Sequence, residues 1–125
     1  MAKSIDWEKL DFSYMQTNCH VQHVWKDGRW DAGRLVDSPQ INLHVAATCL
    51  HYGQAIFEGL KAFRQKDGSV CTFRPKDNAK RMADTARRLC MAEVPEALFL
   101  EAMDRVIQAN IEYVPPYGTG GALYV

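Results

Sequence analysis

At Pro75 the hydrophobic pattern changes period, and that change constrains the order of secondary structure more than any other feature. Upstream, apolar residues alternate in short runs. Downstream, Ala79, Met82, Ala83, Ala86, Leu89 and Cys90 recur at helical spacing. Proline suits the head of such a segment, where its missing N–H is no loss. The spacing predicts a first helix from Pro75 to about Met91. Pro95 opens a second stripe of Phe99, Ala102, Met103, Val106, Ala109 and Tyr113. This predicts a second helix reaching about Tyr113, where VPPYGTGG breaks the pattern.

Before Pro75 the punctuation is Asp-Gly. In HVQHVWKDGRWDAGRLV, two valine- and tryptophan-bearing runs flank Asp27-Gly28, a pair suited to the positive-φ positions of a tight hairpin turn. LKAFRQKDGSVCTFR repeats the device, with Asp67-Gly68 between a run ending at Phe63 or Arg64 and a run from Val70 to Phe73. Ala122 to Val125 reads as a last strand with no turn signal or polar tail after it, so the chain looks cut there. Strands, then two consecutive helices, then a strand predict an α+β two-layer sandwich: a largely antiparallel sheet with two helices on one face.

Composition enters by what it excludes. With 125 residues there is room for one domain and one hydrophobic core. Formal net charge is zero, so no basic footprint argues for nucleic acid or an anionic membrane. The N-terminal MAKSIDWEKLDF has no apolar targeting core, and no run is long enough to span a bilayer, so a cytoplasmic protein is expected. Cys19, Cys49, Cys71 and Cys90 are far apart and form no CxxC pair, as expected of reduced thiols.

Local chemistry is sparse. Cys19, His20, His23, Cys49 and His51 are metal-ligand types, but strand alternation turns His20 away from Cys19 and His23, and no metal site is expected. No nucleophile-base pair has a local signature. YGTGG lacks the helix and lysine of a phosphate loop and reads as a turn. Arg74 in FRP stands where a strand gives way to a helix. By position alone it is either an exposed arginine or an anion grip beside the helix amides. LHYGQAIFEGLKAFR gathers a histidine, a tyrosine, two glycines and a phenylalanine around an apparently buried turn. Periodicity alone assigns Tyr52 and Phe57 to core packing.

Three stretches alter that reading: LHYGQAIFEGLKAFR at 50–64, FRPKDNAKRMADTARRLCM at 73–91 and YVPPYGTGGALYV at 113–125. In order and spacing they resemble the N-terminal small domain of branched-chain amino acid aminotransferases, pyridoxal-phosphate enzymes of fold type IV. With the first hairpin the resemblance covers nearly the whole chain. It implies that residues 1–125 are the small domain and that a large catalytic domain lies outside them. Arg74 matches the arginine that binds the cofactor phosphate, a role suited to a side chain that cannot deprotonate. Tyr52 and Phe57 match walls of the substrate pocket, partly across a homodimer interface, and Tyr124 matches another pocket tyrosine. Apolar walls suit a branched aliphatic side chain, while a tyrosine hydroxyl can reach a carboxylate.

The implied reaction converts leucine, isoleucine or valine and 2-oxoglutarate to the branched 2-oxo acid and glutamate. The lysine that bonds the cofactor belongs to the family's large domain, so no catalytic residue is assigned here. Lys61, Lys66, Lys76 and Lys80 read as solvated charges, and the isolated chain is expected to be inactive. The alternatives are a D-amino acid aminotransferase or aminodeoxychorismate lyase of the same fold class, or a non-catalytic binding module. A face carrying Phe57, Arg74 and Tyr124 is expected to be apolar and prone to association.

Overall fold

Both Asp-Gly hairpins form in the computed structural model, which describes residues 5–125, but by different turns. The first four residues of MAKSIDWEKLDF lie outside the described residues. In the first hairpin, strands β2 (Trp25–Lys26) and β3 (Arg29–Trp30) pair antiparallel. Asp27 and Gly28 between them have φ of 53° and 77°, the two left-handed positions of a two-residue hairpin turn. Below this tip, β1 (His20–Gln22) pairs with β4 (Arg34–Val36). The ladders are separated by a bulge that Asp31 organises. Its carboxylate accepts from Val24 N and Gly33 N, both at 3.0 Å, and its own N–H donates to Val24 O.

The second hairpin joins β5 (Lys61–Arg64) to β6 (Val70–Thr72). Here only Gly68 is left-handed, with φ 87°. Gly68 N donates to Gln65 O at 3.0 Å and Gln65 N to Ser69 O at 2.7 Å, closing a three-residue loop. Asp67 contributes its side chain instead, accepting from Ser69 N at 2.9 Å and Ser69 Oγ at 2.6 Å.

The helices are α2 (Pro75–Arg88) and α3 (Glu96–Ala109), preceded by a single turn, α1 (Thr48–His51), that the pattern did not announce. Helix α2 stops short of Met91 because Cys90 turns left-handed at φ 54°. Met91 N then donates to Ala86 O at 2.9 Å and Cys90 N to Arg87 O at 3.2 Å, a Schellman cap made without glycine. Helix α3 stops short of Tyr113 at buried Asn110. The Asn110 amide accepts from Asn18 N at 2.8 Å and donates to Cys19 O at 3.0 Å, tying the entry of β1 to the end of α3. A 3-10 turn, Ile111–Tyr113, carries the apolar stripe onward, and Tyr113 is buried.

Strand β7 (Leu123–Tyr124) returns beside β5, giving a three-stranded antiparallel sheet in the order β6-β5-β7. Leu60 and Val125 extend that ladder by exchanging backbone hydrogen bonds of 3.0 and 2.9 Å. One sheet face meets α3. Leu60, Ala62, Met103, Ile107 and Val114 form the core there, flanked by Val70 and Leu123. Met103 and Ile107 each gain about 1.5–3 kcal/mol by leaving water. Helix α2 packs along α3. The α+β layering follows the sequence pattern, but the described strands make three separate antiparallel sheets rather than one. No described helix is long and apolar enough to cross a membrane.

Candidate functional site

Glu58 is the anchor of the segment that leads into β5. Flanked by Ile56, Phe57 and Leu60, a carboxylate there must find partners or stay in water. It finds them on α2: its side chain is only 6% exposed. Arg81 grips it from both sides, Nε donating to Oε2 at 2.7 Å and Nη2 to Oε1. Asn78, one turn earlier on the same helix face, donates from Nδ2 to Glu58 Oε1 and to Gly59 O, both at 3.0 Å. Gly59 N donates to Glu58 Oε1 at 2.9 Å. Arg81 is the main reason the Glu58 carboxyl lies below its ordinary range; burial opposes this, and Gly59 N and Asn78 reinforce it. Glu58 in turn raises the Arg81 guanidinium.

With Glu58 turned inward, its neighbour turns outward. Phe57 is 86% exposed and Tyr52, just past α1, is 84% exposed, so neither is the core residue that periodicity suggested. The turn at 50–57 is likewise open rather than buried. Tyr124, on β7, is half exposed and meets the Phe12 ring edge-on at a centroid distance of 5.9 Å. Phe57 and Tyr124 come together in a depression of about 520 Å³, and Arg81 lines it with them. A neighbouring depression of about 680 Å³ is bordered by Tyr124, Lys61, Phe63 and Phe73 on the sheet's open face. An exposed aromatic surface is therefore present, and it runs from Phe57 across Tyr124 to Phe73 without the Arg74 expected on it.

Arg74 and Tyr52 are not brought into that arrangement. Arg74 follows Phe73 at the head of α2, but lines neither depression. Its φ of 49° is left-handed, and its Nε lies 2.5 Å from Asp77 Oδ2. Lys61, Lys66, Lys76 and Lys80 are all exposed, and Lys76 faces Glu96 at 3.5 Å. Sequence reasoning missed Glu58, Asn78 and Arg81. The available signal was an acidic residue inside the apolar run AIFEGL, together with two polar residues three apart on the following helix.

Behind Phe57 a further groove of about 670 Å³ separates the first hairpin from α3. Cys19, His20 and His23 all border it. Trp30 closes one end by donating from Nε1 to Glu93 O at 3.0 Å. Among the described residues, no three His, Cys, Asp or Glu side chains gather where they could hold a metal ion.

Comparison with known proteins finds related sequences. The chain is 49% identical over 123 residues to the branched-chain-amino-acid aminotransferase of Haemophilus influenzae, a match covering 98% of this chain and 36% of that protein. The chain is homologous to branched-chain-amino-acid aminotransferases. The Helicobacter pylori protein of the same name is 43% identical over 98% of the chain. Branched-chain-amino-acid aminotransferase 5, chloroplastic, of Arabidopsis thaliana is 40% identical over 97%. The chain spans about a third of the length of these curated relatives. No protein-family model matches it.

Proposed function

We propose that this chain is the small domain of a pyridoxal-phosphate enzyme that transfers the amino group of leucine, isoleucine or valine to 2-oxoglutarate. The observation that carries the reading is the 49% identity extending over 98% of the chain. The geometry is compatible with it. Phe57 supplies an apolar wall, Tyr124 an apolar wall with a hydroxyl for a substrate carboxylate, and Arg81 a permanent cation beside both. Tyr52 is available to wall the pocket of a second protomer in a homodimer. When bound, pyridoxal phosphate supplies the electron sink, and the protein supplies orientation and charge. These residues suit its phosphate and the substrate; the exposed lysines are not held in a water-poor pocket, which supports the reading that the lysine that bonds the cofactor belongs to a large domain outside residues 1–125. A cytoplasmic location fits this metabolic role.

For the phosphate there are two readings. Arg74 is proposed from its place in the FRP motif. Arg81 is favoured by one observation, that it lines the depression shared by Phe57 and Tyr124. Arg74→Ala and Arg81→Ala in the complete enzyme separate them. Loss of one charge-assisted phosphate contact is worth about 1.5–3 kcal/mol, so the arginine that holds the phosphate lowers cofactor affinity by about one to two powers of ten. Unchanged affinity in either variant removes that arginine from the site.

Reading the coding sequence beyond Val125 for a lysine-bearing large domain tests the domain assignment. Substrate profiling of the complete protein tests the activity: turnover of leucine with 2-oxoglutarate is expected. Turnover only of D-amino acids or of aminodeoxychorismate assigns the protein to those enzymes instead, and a chain with no large domain indicates a binding module. Residues 1–125 alone should give no turnover and only substoichiometric lysine labelling after borohydride reduction with pyridoxal phosphate. A stoichiometric label at Lys61 together with turnover would place the catalytic centre within this chain.

A further inference from the structure

Gly59 stands between the Glu58 anchor and β5, and its backbone is not one that requires glycine, since its φ is not left-handed. What it lacks is room. A Cβ at position 59 would lie 2.1 Å from Tyr124 Oη, 2.6 Å from Cζ and 3.0 Å from Cε2. The end of the Tyr124 ring therefore occupies the space that any side chain at 59 would need. By contrast Gly28, Gly53, Gly68, Gly118 and Gly120 have positive φ and open space where a Cβ would stand, so their glycines answer to the backbone.

We propose that Gly59 is a positioning residue for Tyr124, a clearance that lets the ring lie across the chain and point its hydroxyl along the depression shared with Phe57 and Arg81. The clearance is enforced from both sides. Behind, Gly59 cannot withdraw readily, because Asn78 Nδ2 holds its carbonyl at 3.0 Å and its own N–H is held by Glu58 Oε1 at 2.9 Å. In front, the Tyr124 backbone is fixed in register with Lys61 on β5. The half-exposed Tyr124 side chain is the one partner free to turn. A methyl group at 59 thus rotates the ring out of the depression instead of moving the fold, and the main effect of the substitution falls on binding. A displacement of about 1 Å at a positioning group can cost a reaction up to about 100-fold.

The inference rests on the proposed substrate role of Tyr124, and the experiment separates the two. Gly59→Ala is made in the complete enzyme, with 3-fluorotyrosine incorporated and the Tyr124 resonance assigned by its loss in Tyr124→Phe. Expected results are a shifted Tyr124 fluorine signal, a melting temperature within a few degrees of the parent, and a KM for leucine raised about tenfold or more with a smaller change in kcat. An unmoved Tyr124 signal, or a collapse of the melting temperature, overturns the positioning role. A moved signal with KM and kcat both unchanged supports the positioning role and overturns the assignment of Tyr124 to the substrate pocket. The double variant Gly59→Ala/Tyr124→Ala adds a control: once the ring is gone, the added methyl group should have no further effect on KM relative to Tyr124→Ala alone.

Discussion

Helix α2 carries two arginines whose surroundings could hardly differ more. Arg74, at the head, pairs with Asp77 on its own first turn, and both side chains are more than half exposed. Arg81, two turns on, pairs with Glu58 from a distant segment, and that carboxylate is nearly out of water. The first contact closes a few residues of chain; the second joins α2 to the segment entering β5 and fixes the side from which Phe57 projects. An ion pair between exposed, neighbouring groups is worth little, whereas one with a buried, hydrogen-bonded partner holds tertiary structure. An arginine that fits a motif and an arginine that lines a groove are thus different residues here.

The largest effect expected from that contrast is on folding. Glu58→Ala removes the acceptor shared by Arg81, Asn78 and Gly59 N and leaves Asn78 and Gly59 short of a partner. Because hydrogen bonds to charged groups are worth about 1.5–3 kcal/mol, urea melts should show a loss of about 2 kcal/mol. A loss under about 0.5 kcal/mol, the range of ordinary surface changes, would erase the distinction between the two arginines. Next, Arg81→Ala should lower the urea midpoint clearly more than Arg74→Ala, whose change should stay within that of an ordinary surface substitution. Equal losses in the two melts would break the comparison.

Acid should narrow the gap between parent and Glu58→Gln. Since folding lowers the Glu58 carboxyl below its ordinary 4.5, its contribution is fully present above that value and is lost as pH falls through the folded-state value. The stability difference between the two proteins should be flat near neutrality and shrink below about pH 4.5. A difference that stays constant or grows on acidification contradicts the ion pair. Smallest of all, Tyr52→Ala and Phe57→Ala should change stability by less than about 0.5 kcal/mol, where a core phenylalanine would cost about 3–5 kcal/mol. A core-sized loss at Phe57 would return it to packing.

Some of this was legible in the order of residues. Asp-Gly pairs marked both hairpins, but the dipeptide alone did not say that Asp27 bends its own backbone while Asp67 braces Ser69. Helical periodicity located α2 and α3, yet ran past both C-termini, because Cys90 took a left-handed cap and Asn110 spent its amide on β1. Arg74 stood out through its motif, whereas Arg81 looked like any solvated charge on a helix.

Sequence by itself determined the order of strands and helices and the kinship with aminotransferases, since turn residues, periodicity and identity are properties of neighbouring positions along a chain. Tertiary structure decided that Glu58 turns inward to Arg81 and Asn78, that Phe57 turns out beside the depression Tyr124 also lines, and that Gly59 must stay bare beneath the Tyr124 ring. Those outcomes depend on which distant side chain supplies a hydrogen bond or occupies a volume, and separation along the chain carries no record of either.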